Sequence, residues 1–157
     1  MDQVVYVADS GMFNEDNLTE LEQLEDHQFN YIVGARIKNL PNHLKENILN
    51  QENYQILGNG ISTAEFEHKG RKLIVSYSEK RAKKDKSDRL KGIEKLRVKL
   101  SKDRSIKNQL SNQGYRKYLR LDNANEGKLH IDEEKIASAA QWDGLKGLIV
   151  NKENHLS

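Results

Sequence analysis

A strand–helix–strand pattern at the beginning of the chain most constrains its fold. Residues 4–8, VVYVA, form a short apolar run that is typical of a strand covered on both faces. NEDNLTELEQLEDHQ follows, and its leucines at 18, 21 and 24 are spaced along one side of a predicted helix. FNYIVGAR, residues 29–36, is the second predicted strand. Two strands joined by one helical crossover are expected to pair in parallel.

The later elements are predicted from turn residues and from hydrophobic spacing. Residues 40–57 favour a short helix after Pro41, the only proline, and GNG at 58–60 then marks a boundary. After this boundary, the sequence predicts a hairpin over 62–77 that turns at 69–70, followed by a long basic helix over 78–102. A second hairpin over 115–131, a helix over 132–144 and a closing strand over 145–151 complete the predicted elements. The long basic helix has one predicted apolar stripe, which consists of Leu90, Ile93, Leu96 or Arg97, and Leu100.

This pattern predicts a mixed α/β (α+β) fold, in which a parallel α/β frame is interrupted by an inserted subdomain. Residues 1–57 are the predicted partial core, and residues 58–131 are the predicted basic insertion with its β-hairpins and long helix. Residues 132–157 are expected to return to the core as a helix and a strand.

Charge is distributed very unevenly along the chain, although the net charge is only +2. Residues 1–57 carry 3 Lys and Arg against 10 Asp and Glu, whereas residues 58–120 carry 19 against 7. Such a basic middle segment suggests a polyanionic partner. The chain has no cysteine, which excludes disulfides and thiolate metal sites and fits a cytoplasmic location. No apolar run is long enough for a membrane span.

The long basic helix carries the candidate residues for nucleic-acid binding. These are Lys80, Arg81, Lys83, Lys84, Lys86 and Arg89. Clustered Lys and Arg gain affinity for phosphates by releasing condensed counterions, without reading base sequence. The alternative is a solvated helix face, since Asp85, Asp88 and Glu94 stand at helical spacing from these cations.

Asp9 is the candidate catalytic and metal-binding residue. It follows the first predicted strand directly, where an isolated charge is costly unless it caps a helix, pairs with a base or binds a metal ion. On its spacing alone, a turn or helix-cap role is the more common one.

The order of these landmarks resembles the DDE transposases of bacterial insertion sequences, which have a ribonuclease-H-like catalytic domain. The matching stretches are VYVADSGMFNEDNLTELEQL, YIVGARIK, GRKLIVSYSEKRAKKDKSDRLKGIEKL and WDGLKGLIVN, in that order over nearly the whole chain. By this resemblance Asp9 is the second of three acidic residues that bind Mg²⁺ or Mn²⁺. The first Asp would precede Met1 and the Glu would follow a strand like LKGLIVN, so the chain lacks both, together with the Tyr-Arg-Glu-Lys signature of that helix.

The resemblance therefore implies the middle fragment of a transposase that cleaves and transfers DNA strands at transposon ends. Its core would be a partial ribonuclease-H-like fold, its partners would be transposon-end and target DNA, and the full-length protein would act as a homodimer. With two of the three acids missing, the fragment alone is expected to be inactive.

The alternative is a non-catalytic nucleic-acid-binding module, in which Asp9 only caps a helix. A third reading, protein interaction through the long helix, predicts self-association without DNA.

Overall fold

The computed structural model describes residues 4–8, 15–23, 29–102, 116–122 and 128–151. These residues fall into two compact units, the first assigned to Met1–Glu79 and Leu145–Ser157 and the second to Lys80–Gly144. The predicted domains of 1–57, 58–131 and 132–157 follow composition rather than this spatial grouping, and they stay a prediction. Among the described helices, none is both long and apolar enough to cross a membrane.

The first unit is built on a six-stranded sheet with two α-helices. Its strands are β1 (Val4–Ala8), β2 (Phe29–Ala35), β3 (Gln55–Gly58), β4 (Ile61–His68), β5 (Arg71–Ser78) and β8 (Leu145–Val150). They lie in the order β1-β2-β8-β5-β4-β3. The helices are α1 (Glu15–Gln23), between β1 and β2, and α2 (Asn42–Leu49), after Pro41. The mixed α/β fold class is confirmed.

The sheet is mostly antiparallel. The predicted parallel pairing of β1 with β2 is confirmed, with Ala8 opposite Val33. The other four strand pairs are antiparallel, including β8 with both of its neighbours. The prediction of a parallel frame is therefore wrong beyond the first pair. An apolar run such as LKGLIV indicates a buried strand, but it carries no signal for the direction of partners that lie far away in sequence.

Local turn chemistry explains which strands could be predicted. Lys69 and Gly70 have positive φ values of 52° and 74°, as a two-residue hairpin turn with the favoured twist requires, and the predicted hairpin is confirmed as β4 and β5. The helix predicted over 40–57 is wrong at its end, because residues 55–58 form β3. All four residues of β3 are exposed, so this edge strand has no buried face that could give it a hydrophobic period.

Close packing in the first unit depends on one glycine in the middle of β8. Ile37 packs directly over Gly147, and a Cβ there would collide with the Cγ2 atom of Ile37. α1 contributes Leu18 to a cluster with Tyr31 and Val33 of β2. Leu44 and Ile48 of α2 are both buried, as their spacing predicts.

The second unit packs a long helix with a hairpin and a short helix. Its elements are α3 (Glu79–Lys102, nearly all of which lies in this unit), β6 (Leu119–Asp122), β7 (Lys128–Ile131) and α4 (Glu133–Ala140). β6 and β7 form the predicted antiparallel hairpin. Asp132 caps α4 by accepting hydrogen bonds from the backbone N–H groups of Glu134 and Lys135 at 3.0 and 3.4 Å.

The core of the second unit shows which side of α3 is buried. Ile93, Leu96 and Leu100 pack there with Tyr118 and Leu119. The predicted apolar stripe is confirmed at these three helix positions, with Leu96 rather than Arg97 facing inward. It is wrong at Leu90, which is 54% exposed.

Candidate nucleic-acid interface

Asp9, the predicted catalytic and metal-binding residue, lies outside the described residues. The strand before it is described: β1 ends at Ala8 and pairs only with β2 among the residues that the structure describes. Val7 in this strand is 74% exposed. Within the described ranges, no group of three or more His, Asp or Glu side chains could hold a metal ion. The assignment of Asp9 as a metal ligand therefore stays a prediction.

α3 is stabilised as a helix both by its charges and by its buried side. Lys99 and Lys102 stand in the last turn, where positive charge interacts favourably with the helix dipole, as Glu79 does in the first turn beside the cations Lys80 and Arg81. Leu96 is fully buried in the second unit, whereas the residues on the opposite side of α3 are exposed. The helix thus presents one polar face to solvent over its whole length.

Five of the six predicted nucleic-acid-binding residues are exposed on α3. They are Lys80, Arg81, Lys83, Lys84 and Lys86. Lys84 forms an ion pair with Asp88 at 3.0 Å, and Arg81 lies 4.0 Å from Asp85. Exposed pairs at this helical spacing contribute only about 0.3–0.5 kcal/mol, so a polyanion can replace such a carboxylate at little cost.

Arg89, the sixth predicted residue, is covered and makes an internal ion pair. Its Nη1 atom lies 2.5 Å from Oδ1 of Asp143, and the two side chains are 9% and 18% exposed. The hydrogen bond to Asp143 raises the pKa of Arg89, which keeps its guanidinium charged. Asp85 reinforces the same junction by accepting a hydrogen bond of 2.9 Å from the backbone N–H of Gly144. Arg89 is therefore a covered residue that stabilises the second unit through its ion pair with Asp143.

The exposed face of α3 carries a row of lysines that extends past the predicted cluster. We call it the lysine stripe; its residues are Lys80, Lys84, Lys91, Lys95 and Lys102. All five are exposed. The intervals are four, seven, four and seven residues, and an 11-residue repeat returns to nearly the same direction on a helix of about 3.6 residues per turn. The stripe therefore stays within about 60° around the helix axis.

Sequence reasoning missed the second half of the stripe because the predicted cluster ended at Arg89. Beyond that point cations alternate with Leu and Val, and the local density of charge falls. The signal that reveals Lys91, Lys95 and Lys102 is their spacing rather than their density. Val98 lies on the same face and is 47% exposed, so the stripe is not purely cationic near its end.

A second polar cluster, in the first unit, joins α1 to the sheet. Arg71 of β5 is buried, and its Nε donates to Glu22 of α1 at 2.6 Å while its Nη2 donates to Thr19 at 3.2 Å. Tyr31 of β2 donates a short hydrogen bond to the same Glu22 carboxylate. Glu22 thus receives donors from two strands, which fixes the position of α1 against the sheet.

The pKa shifts in this cluster agree with a structural role. Burial raises the pKa of Glu22, but the hydrogen bonds from Arg71 and Tyr31 outweigh it, and the net pKa lies below its ordinary value. Burial and the bond to Glu22 raise the pKa of Tyr31 far above its ordinary value. Each group is therefore held more firmly in the charge state that it already has at neutral pH, which does not suit proton transfer.

Comparisons of the chain with protein-family models, curated proteins and solved structures find no match.

Proposed function

We propose that the chain is the middle part of a DDE-type transposase and that its long basic helix contacts DNA. The observation that carries the DNA contact is the continuous exposed cationic face of α3, opposite its packed side. A rigid helix seated on a core presents its cations without the entropic cost of ordering a loop. Lysines contact phosphates as point charges, so this binding is independent of base sequence.

The catalytic part of the proposal depends on the strand–helix–strand at the start of the first unit. Asp9 follows the C-terminal end of β1, and β1 and β2 run in parallel, so their C-terminal ends lie at the same edge of the sheet. In the complete protein, Asp9 would share Mg²⁺ or Mn²⁺ with an upstream Asp and a downstream Glu in a ribonuclease-H-like core. The bound metal would supply activation of a water or 3′-hydroxyl and would stabilise the leaving oxygen.

Titration of the purified chain with labelled duplex DNA at two salt concentrations tests the DNA contact. We expect binding that weakens steeply as salt increases, because phosphate contacts release counterions. Absence of binding, or binding that is insensitive to salt, would contradict the proposal. The chain by itself is expected to show no magnesium-dependent cleavage, because two of the three acids belong to other segments.

Substitution of Asp9 in the full-length transposase tests the catalytic assignment. Asp9→Asn removes the negative charge and keeps the size of the side chain, so strand cleavage and transfer should be lost while DNA binding and thermal unfolding are retained. The matched control is Asp16→Asn in the first turn of α1, which should keep full activity. Cleavage by Asp9→Asn at the rate of the control would eliminate the assignment.

A non-catalytic nucleic-acid-binding module remains the second candidate, because the cationic face of α3 is built without any contribution from Asp9. This candidate predicts the same salt-dependent DNA binding. It differs in the reading frame, which would contain no upstream strand ending in Asp and no downstream helix carrying Glu. Sequencing the gene on both sides of this segment therefore decides between the two.

A further inference from the structure

We infer that the lysine stripe binds duplex DNA lengthwise, through the backbone phosphates of about one helical turn. This inference rests on the proposed DNA contact and adds which residues make it and which form of DNA they fit. Lys80 and Lys102 are 22 residues apart in one helix, which is about 33 Å at about 1.5 Å per residue. One turn of B-DNA measures about 34 Å.

The stripe has an internal spacing that suits a periodic polyanion. The stripe is built on an 11-residue repeat. Lys80 and Lys84 form the first group of cations, Lys91 and Lys95 form the second group 11 residues later, and Lys102 begins the third. Each repeat advances by about 16.5 Å along the helix, close to half a turn of B-DNA. A helix lying along a duplex crosses each of the two phosphate backbones once per turn, so groups of cations spread over about one turn can reach both backbones.

The described residues leave most of the stripe available to a partner. Lys84 pairs with Asp88, whose side chain is 58% exposed, and no ion pair involves Lys80, Lys91, Lys95 or Lys102 within the described part of the chain. Over residues 93–100, the opposite side of α3 is occupied by the core of the second unit. In this half of the helix, one face is packed and the lysine-bearing face is exposed to solvent.

The composition of α3 favours duplex DNA over other polyanions. The helix contains no aromatic residue, so it offers no surface on which the bases of a single strand could stack. Its main apolar side chains are buried in the core, whereas an interfacial membrane helix inserts its apolar face into the lipid. A straight row of point charges matches a stiff rod of phosphates best.

A salt series of duplex titrations, read by fluorescence anisotropy, measures how many phosphates the stripe contacts. Five contacts predict that the logarithm of the affinity falls with the logarithm of salt with a slope of about −4.5, which is about 500-fold weaker binding at 200 mM than at 50 mM salt. A duplex of about 6 base pairs, too short for the stripe, should give a clearly smaller slope than one of about 16 base pairs.

Two matched double variants separate the stripe from general charge. Lys91→Gln with Lys95→Gln removes two cations from the stripe, and the slope should shrink to about −2.7, or about 40-fold over the same salt range. Arg120→Gln with Lys146→Gln removes two exposed cations outside α3, on β6 and on β8, and should leave the slope near −4.5. We expect each variant to keep its fold because all four positions are exposed, and circular dichroism checks this.

The possible results distinguish failure of the lysine-stripe inference from failure of the proposed DNA contact. Equal losses in both double variants would overturn the inference but keep the proposed DNA contact, because only total charge would then matter. Tighter binding of single-stranded than of duplex DNA would also overturn the inference alone. No salt-dependent binding to either form of DNA would overturn the inference together with the DNA contact. A loss confined to Lys91 and Lys95, with dependence on duplex length, supports both.

Discussion

Arg89 of α3 and Asp143, in the turn before β8, form an ion pair with 2.5 Å between Nη1 and Oδ1. The two residues are 54 positions apart in the sequence, and both side chains are largely covered. Neutralising Arg89 would remove this partner from the covered Asp143 carboxylate, and a covered carboxylate without a partner is costly. In the sequence, Arg89 is part of the basic run of α3. In the structure, it is a covered residue of the second unit that holds the turn containing Asp143.

Arg89→Gln should therefore destabilise the chain without changing how DNA binding depends on salt. We expect a loss of about 3 kcal/mol in the free energy of unfolding, measured by urea denaturation. The control is Arg81→Gln on the exposed side, whose pair with Asp85 is long, with an expected loss below about 0.5 kcal/mol. Equal losses in the two variants would show that the Arg89 pair contributes no more than a surface contact.

The Glu22 carboxylate should make the stability of the first unit depend on pH. Its pKa is lowered on folding, so its contribution is fully present above the unfolded value of about 4.5 and is lost as the pH falls through the folded value. Glu22→Gln should cost about 1.5 kcal/mol at pH 7, at the low end for hydrogen bonds to charged groups because about a third of the side chain is exposed. The variant should also lose less stability than the unmodified chain on acidification.

Urea denaturation at several pH values between about 3 and 7 checks this dependence. Glu65→Gln is the matched control, since Glu65 pairs with Lys72 at 3.4 Å but is 62% exposed. Its pH profile should follow that of the unmodified chain. A Glu22→Gln profile that is parallel to the unmodified one down to low pH would contradict the role given to Glu22.

Features set by neighbouring residues were predictable from the sequence. The parallel pair β1 and β2 follows from a strand, a helix and a strand in succession, and the turn at Lys69 and Gly70 follows from two apolar runs separated by two residues. The exposed cations of α3 were predictable as well, because a helix with so few apolar residues buries only one narrow side.

Features set by distant partners were not predictable. β8 lies between β2 and β5, and no local pattern indicates which strands flank it or in which direction they run. Arg71 meets Glu22 from 49 positions away, and Arg89 meets Asp143 from 54 positions away. Runs of charge in the sequence therefore do not distinguish covered, paired arginines from exposed lysines. Asp9 lies outside the described residues, and its role as a metal ligand stays a prediction.

Gly147→Ala should destabilise the first unit through a collision with a single neighbour. The new methyl group would overlap the Cγ2 atom of Ile37 and would lie 3.3 Å from the Cβ atom of Ala35. Because β8 is held on both sides by β2 and β5, the backbone has little room to move. We expect a loss of about 1–3 kcal/mol in the free energy of unfolding.

A double-mutant cycle with Ile37→Ala tests the origin of that loss. Ile37→Ala alone removes a buried side chain and should cost about 2–5 kcal/mol. In the Ile37→Ala background, however, Gly147→Ala should cost almost nothing, because the colliding atom is absent. A cost that is the same in both backgrounds would place the strain somewhere other than Ile37.

The two sides of α3 should respond differently to the loss of apolar side chains. Leu96 is fully buried in the core of the second unit, so Leu96→Ala should cost about 2–5 kcal/mol in the free energy of unfolding. Val98 is 47% exposed among the lysines, and Val98→Ala should change stability by less than about 0.5 kcal/mol. Neither variant alters charge, so the salt dependence of DNA binding should be unchanged wherever the chain stays folded. A change of slope in Leu96→Ala under folding conditions would mean that packing of α3, and not only its lysines, determines the contact.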